Sequence, residues 1–276
     1  MSEAFEERLR RWETAIADYP GSTRAVGLMR IGIALVAWAE LGGEVGPRDV
    51  GWLLGLFFYA TTALMLLGVL AQLSTFAAAV AMWLVIQRVP GTMHHHTYLM
   101  AMATTCLSLT PCGRSFSIDR WLAVRKAEKT GAKPPAEEGN LWALRLICLQ
   151  LSAVLFWGGY NKLTLGTQSL QIGFISGDRL EQTLLYYHSL PVHGPNWMSG
   201  IFAVLGAGVT FFELFAGVGF WIPWARKWCV LGCLLMTTSF QILLNVGTFG
   251  LLAAVLYLSF VPPERIHRLV DELFAS

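Results

Sequence analysis

Lys162 closes an apolar run, in the stretch Phe156–Trp157–Gly158–Gly159–Tyr160–Asn161–Lys162–Leu163. Charged groups at membrane depth are costly and mark function more often than packing. A lysine acts as a general base only as the free amine, and burial among apolar side chains disfavours the ammonium. Phe156, Trp157, Tyr160 and Leu163 offer such a setting. The competing reading is a snorkelling lysine, its stem packed in the helix and its amine among headgroups. Histidines form the second group. His94, His95 and His96 stand together, and His188 and His193 follow later in the chain. Imidazole exchanges protons near neutral pH. A metal is not expected: consecutive residues diverge by about 100° around a helix, so the three adjacent histidines cannot share one ion.

The elements that position these groups are apolar helices. Of 276 residues, 55% are hydrophobic and only 14% charged, against about 25% charged in soluble domains. A bilayer span needs about 20 mostly apolar residues, and eight apolar segments can be drawn: 25–41, 50–71, 74–89, 95–111, 141–163, 198–222, 228–246 and the short 249–261. The sequence therefore predicts an all-α, polytopic transmembrane helical bundle of about eight spans. A net charge of +2 gives no case for nucleic-acid binding. Before the first span, Phe5, Leu9, Trp12 and Ile16 share one helical face, so residues 1–23 read as an amphipathic cytoplasmic surface helix. Residues 24–262 read as the transmembrane domain and 263–276 as a short cytoplasmic tail. The longest polar stretch, 113–140, carries one surface helix starting at Ser117, with Asp119 as its N-terminal acid.

Arginine and lysine set the direction. With the N-terminus in the cytoplasm, fourteen of the twenty fall inside and four outside, and Arg30 and Arg145 lie within spans. This matches the positive-inside rule and puts both termini in the cytoplasm. Lys162 then sits at the outer end of the fifth span, on the periplasmic, extracellular or lumenal face, together with five of the six histidines. The five cysteines fall toward the inner, reducing side and read as small packing residues rather than disulfides. Arg30, Arg145 and Glu213 lie inside the first, fifth and sixth spans, and the simplest account is a structural ion pair that fixes helix packing. The sharper alternative for Glu213 is a proton relay.

Three stretches in this order resemble a known family. They are His94–His95–His96–Thr97–Tyr98–Leu99 running on to Pro111, then Phe116–Ser117–Ile118–Asp119–Arg120–Trp121, then Gly158–Gly159–Tyr160–Asn161–Lys162–Leu163. Glu213–Leu214–Phe215–Ala216–Gly217 and Val246–Gly247–Thr248–Phe249 are weaker echoes. Together they resemble the transmembrane part of vitamin K-dependent gamma-carboxylases and the wider bacterial group of horizontally transferred transmembrane (HTTM) domains. The resemblance implies an enzyme of quinol-dependent oxygenase or carboxylase type, a carbon–carbon lyase or oxidoreductase. Its cofactor would be reduced vitamin K or menaquinone, with O2 and CO2 as co-substrates. It implies Lys162 as the base that takes a proton from the hydroquinone and His96 as its support, facing it across neighbouring spans. Tyr98, Asn161 and His188 would be further members of the site. Two departures stand out. The large lumenal domain that presents glutamate in the full carboxylases has no counterpart here, and Thr237–Thr238–Ser239–Phe240 stands where the family tends to have a histidine. The first departure implies a soluble partner that supplies the substrate surface. It also supports the alternative that the bundle is a non-catalytic membrane anchor or a quinone- or lipid-binding partner of another protein.

Overall fold

The computed structural model describes residues 18–46, 50–164, 196–244 and 248–275. Among them are ten α-helices and one two-stranded ribbon, an all-α fold. The chain forms two compact units. Residues 1–148 with 255–276 make the first, and 149–254 the second. The surface helix expected over 1–23 lies mostly outside the described residues.

In the first unit, β1 (Pro20–Ser22) pairs antiparallel with β2 (Glu138–Asn140), Gly21 opposite Gly139. Helices α1 (Arg24–Leu41), α2 (Trp52–Leu67), α3 (Ala71–Arg88) and α4 (His95–Ser108) follow. Neighbours in sequence pack side by side, and α1 also touches α4. The small residues Ala71, Ser74, Thr75, Ala78, Ala79 and Ala81 line the buried face of α3, which lets helix backbones approach closely where apolar burial cannot drive association. α5 (Ile118–Thr130) starts where the sequence predicts. Ser117 is its N-cap, its Oγ accepting from the Arg120 amide at 2.9 Å. Asp119 stands in the first turn of α5 as expected and also caps α3: its carboxylate accepts from the amides of Leu70 and Ala71 at 2.9 and 2.7 Å. Those amides would otherwise be orphaned at a helix N-terminus.

Arg30 is fully buried at 0% exposure. Its guanidinium donates to the carbonyls of Met65, Leu66 (3.0 Å), Phe116 (2.6 Å) and Cys112 (3.3 Å). Met65 and Leu66 end α2, where carbonyls lack helical partners and carry partial negative charge. Gly68 terminates α2 at φ +68°, and a Cβ there would collide with Ser117 Cβ and lie 2.8 Å from Arg30 Nη1. Backbone conformation and space therefore both demand glycine.

Helix α6 (Trp142–Thr164) leads into the second unit, which also holds α7 (Asn196–Gly219) and α8 (Pro223–Leu244). Then α9 (Phe249–Tyr257) leads into α10 (Pro263–Ala275). The segment expected to be a short tail is thus largely helical. Arg24 holds it, donating to the carbonyl of His267 at 2.9 Å and to Asp271 at 2.5 Å while its Nε engages Glu137 at 2.8 Å.

Large apolar side chains face outward throughout, among them Trp52, Leu53, Leu73, Trp157, Phe211 and Trp228. Apolar side chains thus occupy the outer faces as well as the core, which fits lipid as the solvent. Among the described residues, three helices are long and apolar enough to cross a membrane: Arg24–Glu44, Trp142–Thr164 and Gly200–Gly219. The pair Phe249–Phe260 and Pro263–Phe274, bent by 110°, makes a fourth if taken as one span. All eight apolar segments fall on helices, but several are too short or too polar to qualify alone. α2 has 16 residues, α4 has 14 and α9 has nine.

Candidate functional site

Lys162 and Glu213 meet in the second unit. Lys162 Nζ lies 2.7 and 2.6 Å from the two carboxylate oxygens. Lys162 is 20% exposed and Glu213 only 8%. The sequence arranges this locally. A Cβ at Gly159 would lie 2.8 Å from the carbonyl oxygen of Thr210 and 2.8 Å from Leu214 Cγ. One at Gly217 would lie 2.7 Å from Phe156 Cβ. These two glycines let α6 and α7 touch backbone to backbone. A Cβ at Gly158, one turn before Lys162, would lie 3.4 Å from a Glu213 carboxylate oxygen, so the carboxylate rests against a position with no side chain. The paired glycines of the motif thus bring Glu213 within reach of Lys162.

The aromatic side chains of this stretch of α6 stay exposed. Tyr160 stacks with Trp157 at 5.4 Å and with Phe156 at 6.5 Å between centroids. Next to Lys162, Asn161 Oδ1 is buried and finds no hydrogen-bond partner among the described residues. A buried acceptor without a donor is costly and needs a reason.

His96 belongs to the first unit. Its Nε2 lies 2.6 Å from Glu40 Oε1, both side chains mostly buried at 19% and 16% exposure. The ring nitrogen and the carboxyl group share one hydrogen bond. α4 presents the ring by its own start: His94 is the N-cap, and Thr97 closes a capping box with it. His94 and His96 stack at 5.3 Å, while His94 and His95 stay exposed. Tyr98 packs against Trp83 at 5.8 Å. His188 and His193 lie outside the described residues.

Arg30, Arg145 and Glu213, expected as a structural ion pair, each engage another group. Arg30 is saturated by backbone carbonyls. Arg145 stacks over the Tyr19 ring at 4.4 Å. Glu213 takes Lys162 instead, because Gly158 and Gly159 open the way. Glu40 is the residue that sequence reasoning missed. It is the only acid in the apolar run 25–41, and the rule that singled out Lys162 applies to it equally.

Buried ionisable pairs inside outward-facing apolar helices define an integral membrane protein. The family model for the HTTM domain matches residues 43–264, most of the chain. The chain belongs to the HTTM domain family, whose domain is found in vitamin K-dependent carboxylase-related proteins. No curated protein and no solved structure matches it.

Proposed function

We propose that this chain is a multi-pass membrane enzyme of the vitamin K-dependent carboxylase type, with Lys162 as general base toward a reduced quinone. The observation that carries the reading is the mostly buried Lys162–Glu213 pair at 2.6 Å. Water exclusion weakens the preference for separated charges, so the ion pair can pass its proton from the ammonium to the carboxylate. The free amine left behind can take a proton from a weak acid such as a phenol. Glu213 is then the proton acceptor for Lys162, and the relay role displaces the purely structural one. Burial of the pair on α6 and α7 keeps bulk water from short-circuiting the transfer.

The chemistry of these residues fits a hydroquinone. Asn161 Oδ1, the buried acceptor without a donor, would accept a hydrogen bond from a phenolic O–H. The exposed face of Phe156, Trp157 and Tyr160 offers an apolar, aromatic approach from lipid. When bound, the reduced quinone would supply the reaction with oxygen that generates a strong base for a C–H bond, carbon dioxide adding afterwards. His96, oriented by Glu40, keeps the supporting role that the resemblance assigns to its position. The proposed topology has eight spans, both termini in the cytoplasm, and Lys162 and His96 at outer ends. The eight helical segments and the inner bias of arginine and lysine support it. A soluble partner would bring the acceptor substrate.

The test is aerobic incubation of nanodisc-embedded protein with reduced menaquinone or vitamin K hydroquinone, quinone epoxide being read by mass spectrometry. Wild type is expected to form epoxide and Lys162→Ala to form none. Epoxide from well-folded Lys162→Ala overturns the assignment of the base. None from well-folded wild type, with either quinol, favours a non-catalytic anchor.

A further inference from the structure

Away from Lys162, the first unit holds an open cleft of about 600 Å³. Arg114, Arg120, Gln72 and Asp119 line it, with Leu70, Leu73 and Ala123 among its apolar walls. Its acids are already engaged. Asp119 caps α3 with both oxygens, and the nearby Glu137 is held by Arg24 at 2.8 Å, with Arg120 Nε a looser 3.8 Å away. Each cleft arginine donates one backbone hydrogen bond, Arg114 to Glu138 and Arg120 to Pro135. A guanidinium has five N–H donors, so both keep capacity for an anion. The leucines are unusual in being open, Leu70 at 65% and Leu73 at 63% exposure.

Two further features give the cleft a direction. From Leu73, an exposed apolar row runs along one face of α3 through Phe76, Val80 and Leu84. Eleven residues at about 1.5 Å rise span about 16 Å, and one leaflet of a hydrocarbon core about 30 Å thick is about 15 Å deep. Beside the cleft, α5 exposes Ile118, Trp121 and Leu122, and Arg125 stacks over the Trp121 ring at 4.2 Å. A tryptophan capped by a cation belongs at headgroup depth.

We infer that this cleft is a binding site for an anionic glycerophospholipid. The phosphate sits between Arg114 and Arg120, and an acyl chain lies along Leu73, Phe76, Val80 and Leu84. Charge selects the headgroup, and the apolar row sets its depth. The binding site is independent of the proposed reaction. Its assignment to the inner leaflet alone rests on the topology proposed above, which places 113–140 inside.

The experiment is native mass spectrometry of the full chain, delipidated in detergent and titrated with dioleoyl phosphatidylglycerol or dioleoyl phosphatidylcholine. Acyl chains being equal, only the headgroup differs. Both lipids carry the phosphate but choline neutralises its charge, so one phosphatidylglycerol is expected to bind at least about fivefold more tightly than phosphatidylcholine. Arg114→Gln/Arg120→Gln is expected to erase that preference. Ala123→Trp, which fills the cleft and keeps both arginines, is expected to lose the bound lipid even if the arginine variant fails to fold. Equal binding of the two lipids to wild type overturns the inference. So does retained preference in the folded double variant or undiminished binding to Ala123→Trp. Displacement of the lipid by millimolar inorganic phosphate would show that the apolar row contributes nothing, and would overturn it as well.

Discussion

Removing one charge of the Lys162–Glu213 pair is expected to be far worse than removing both. Lys162→Met leaves a carboxylate at 8% exposure without the ammonium 2.6 Å away. Stranding one member of a buried ion pair costs about 3–5 kcal/mol. Glu213→Gln is milder, because the carboxamide oxygen still accepts from the amine and Lys162, at 20% exposure, retains some access to polar surroundings. Its cost should be about 1–2 kcal/mol. Lys162→Met/Glu213→Gln strands no charge and should recover most of the loss, giving a coupling of at least about 2 kcal/mol. The assay is reversible unfolding from mixed micelles by SDS, followed by tryptophan fluorescence, on all four proteins. If the double variant loses the sum of the single losses to within about 0.5 kcal/mol, the residues do not interact and the reasoning fails. Quinol turnover run in parallel separates chemistry from stability. Glu213→Gln should slow it by more than its small stability loss explains, since the amide cannot take the proton.

Two more outcomes follow from the geometry. Gly159→Ala should destabilise by about 1–3 kcal/mol, its methyl group meeting the Thr210 carbonyl at 2.8 Å, while Gly158→Ala, whose nearest contact is at 3.4 Å, should be close to neutral; equal losses in the same SDS titration would contradict the packing described. The hydrogen bond from Arg24 holds the Asp271 carboxyl below its ordinary range. Its contribution to docking of α10 is therefore complete above about pH 3.9, the ordinary aspartate value, and is lost as pH falls through the lower folded-state value. Fluorescence quenching of a label on Leu273→Cys should hold steady from pH 7 to about 5 and change only in stronger acid, and Asp271→Asn should remove the change.

The class of the protein and the place of Lys162 at the end of an apolar helix were legible because both are local. An apolar run is read residue by residue, and a lysine inside it stands out against its neighbours. The start of α5 at Ser117 was legible for the same reason. The partners were not, because each is supplied by another helix. Glu213 stands 51 residues from Lys162 and Glu40 stands 56 from His96. The glycines that decide who meets whom look alike in sequence. Gly159 admits a backbone and Gly158 a carboxylate, and only the packing of α7 tells them apart. Asp119 shows the same limit. Its place just after an N-cap suggests its own helix, yet the chain turns back at Gly68 and delivers the amides of α3 to it.

Arg30 and Lys162 show why the burial of a cation does not by itself reveal its purpose. Both lie in apolar helices, and both are satisfied, but by different chemistry. Arg30 is met by four backbone carbonyls, which carry no exchangeable proton and cannot accept one at accessible pH. A guanidinium does not give up its proton in proteins either. That arrangement can hold α1, α2 and the start of α5 in register, and it can do nothing else. Lys162 is met by a carboxylate, and between an amine and a carboxyl group the proton has two places to rest. The carboxylate opposite Lys162, admitted beside Gly158 and Gly159, is what the proposed proton transfer requires.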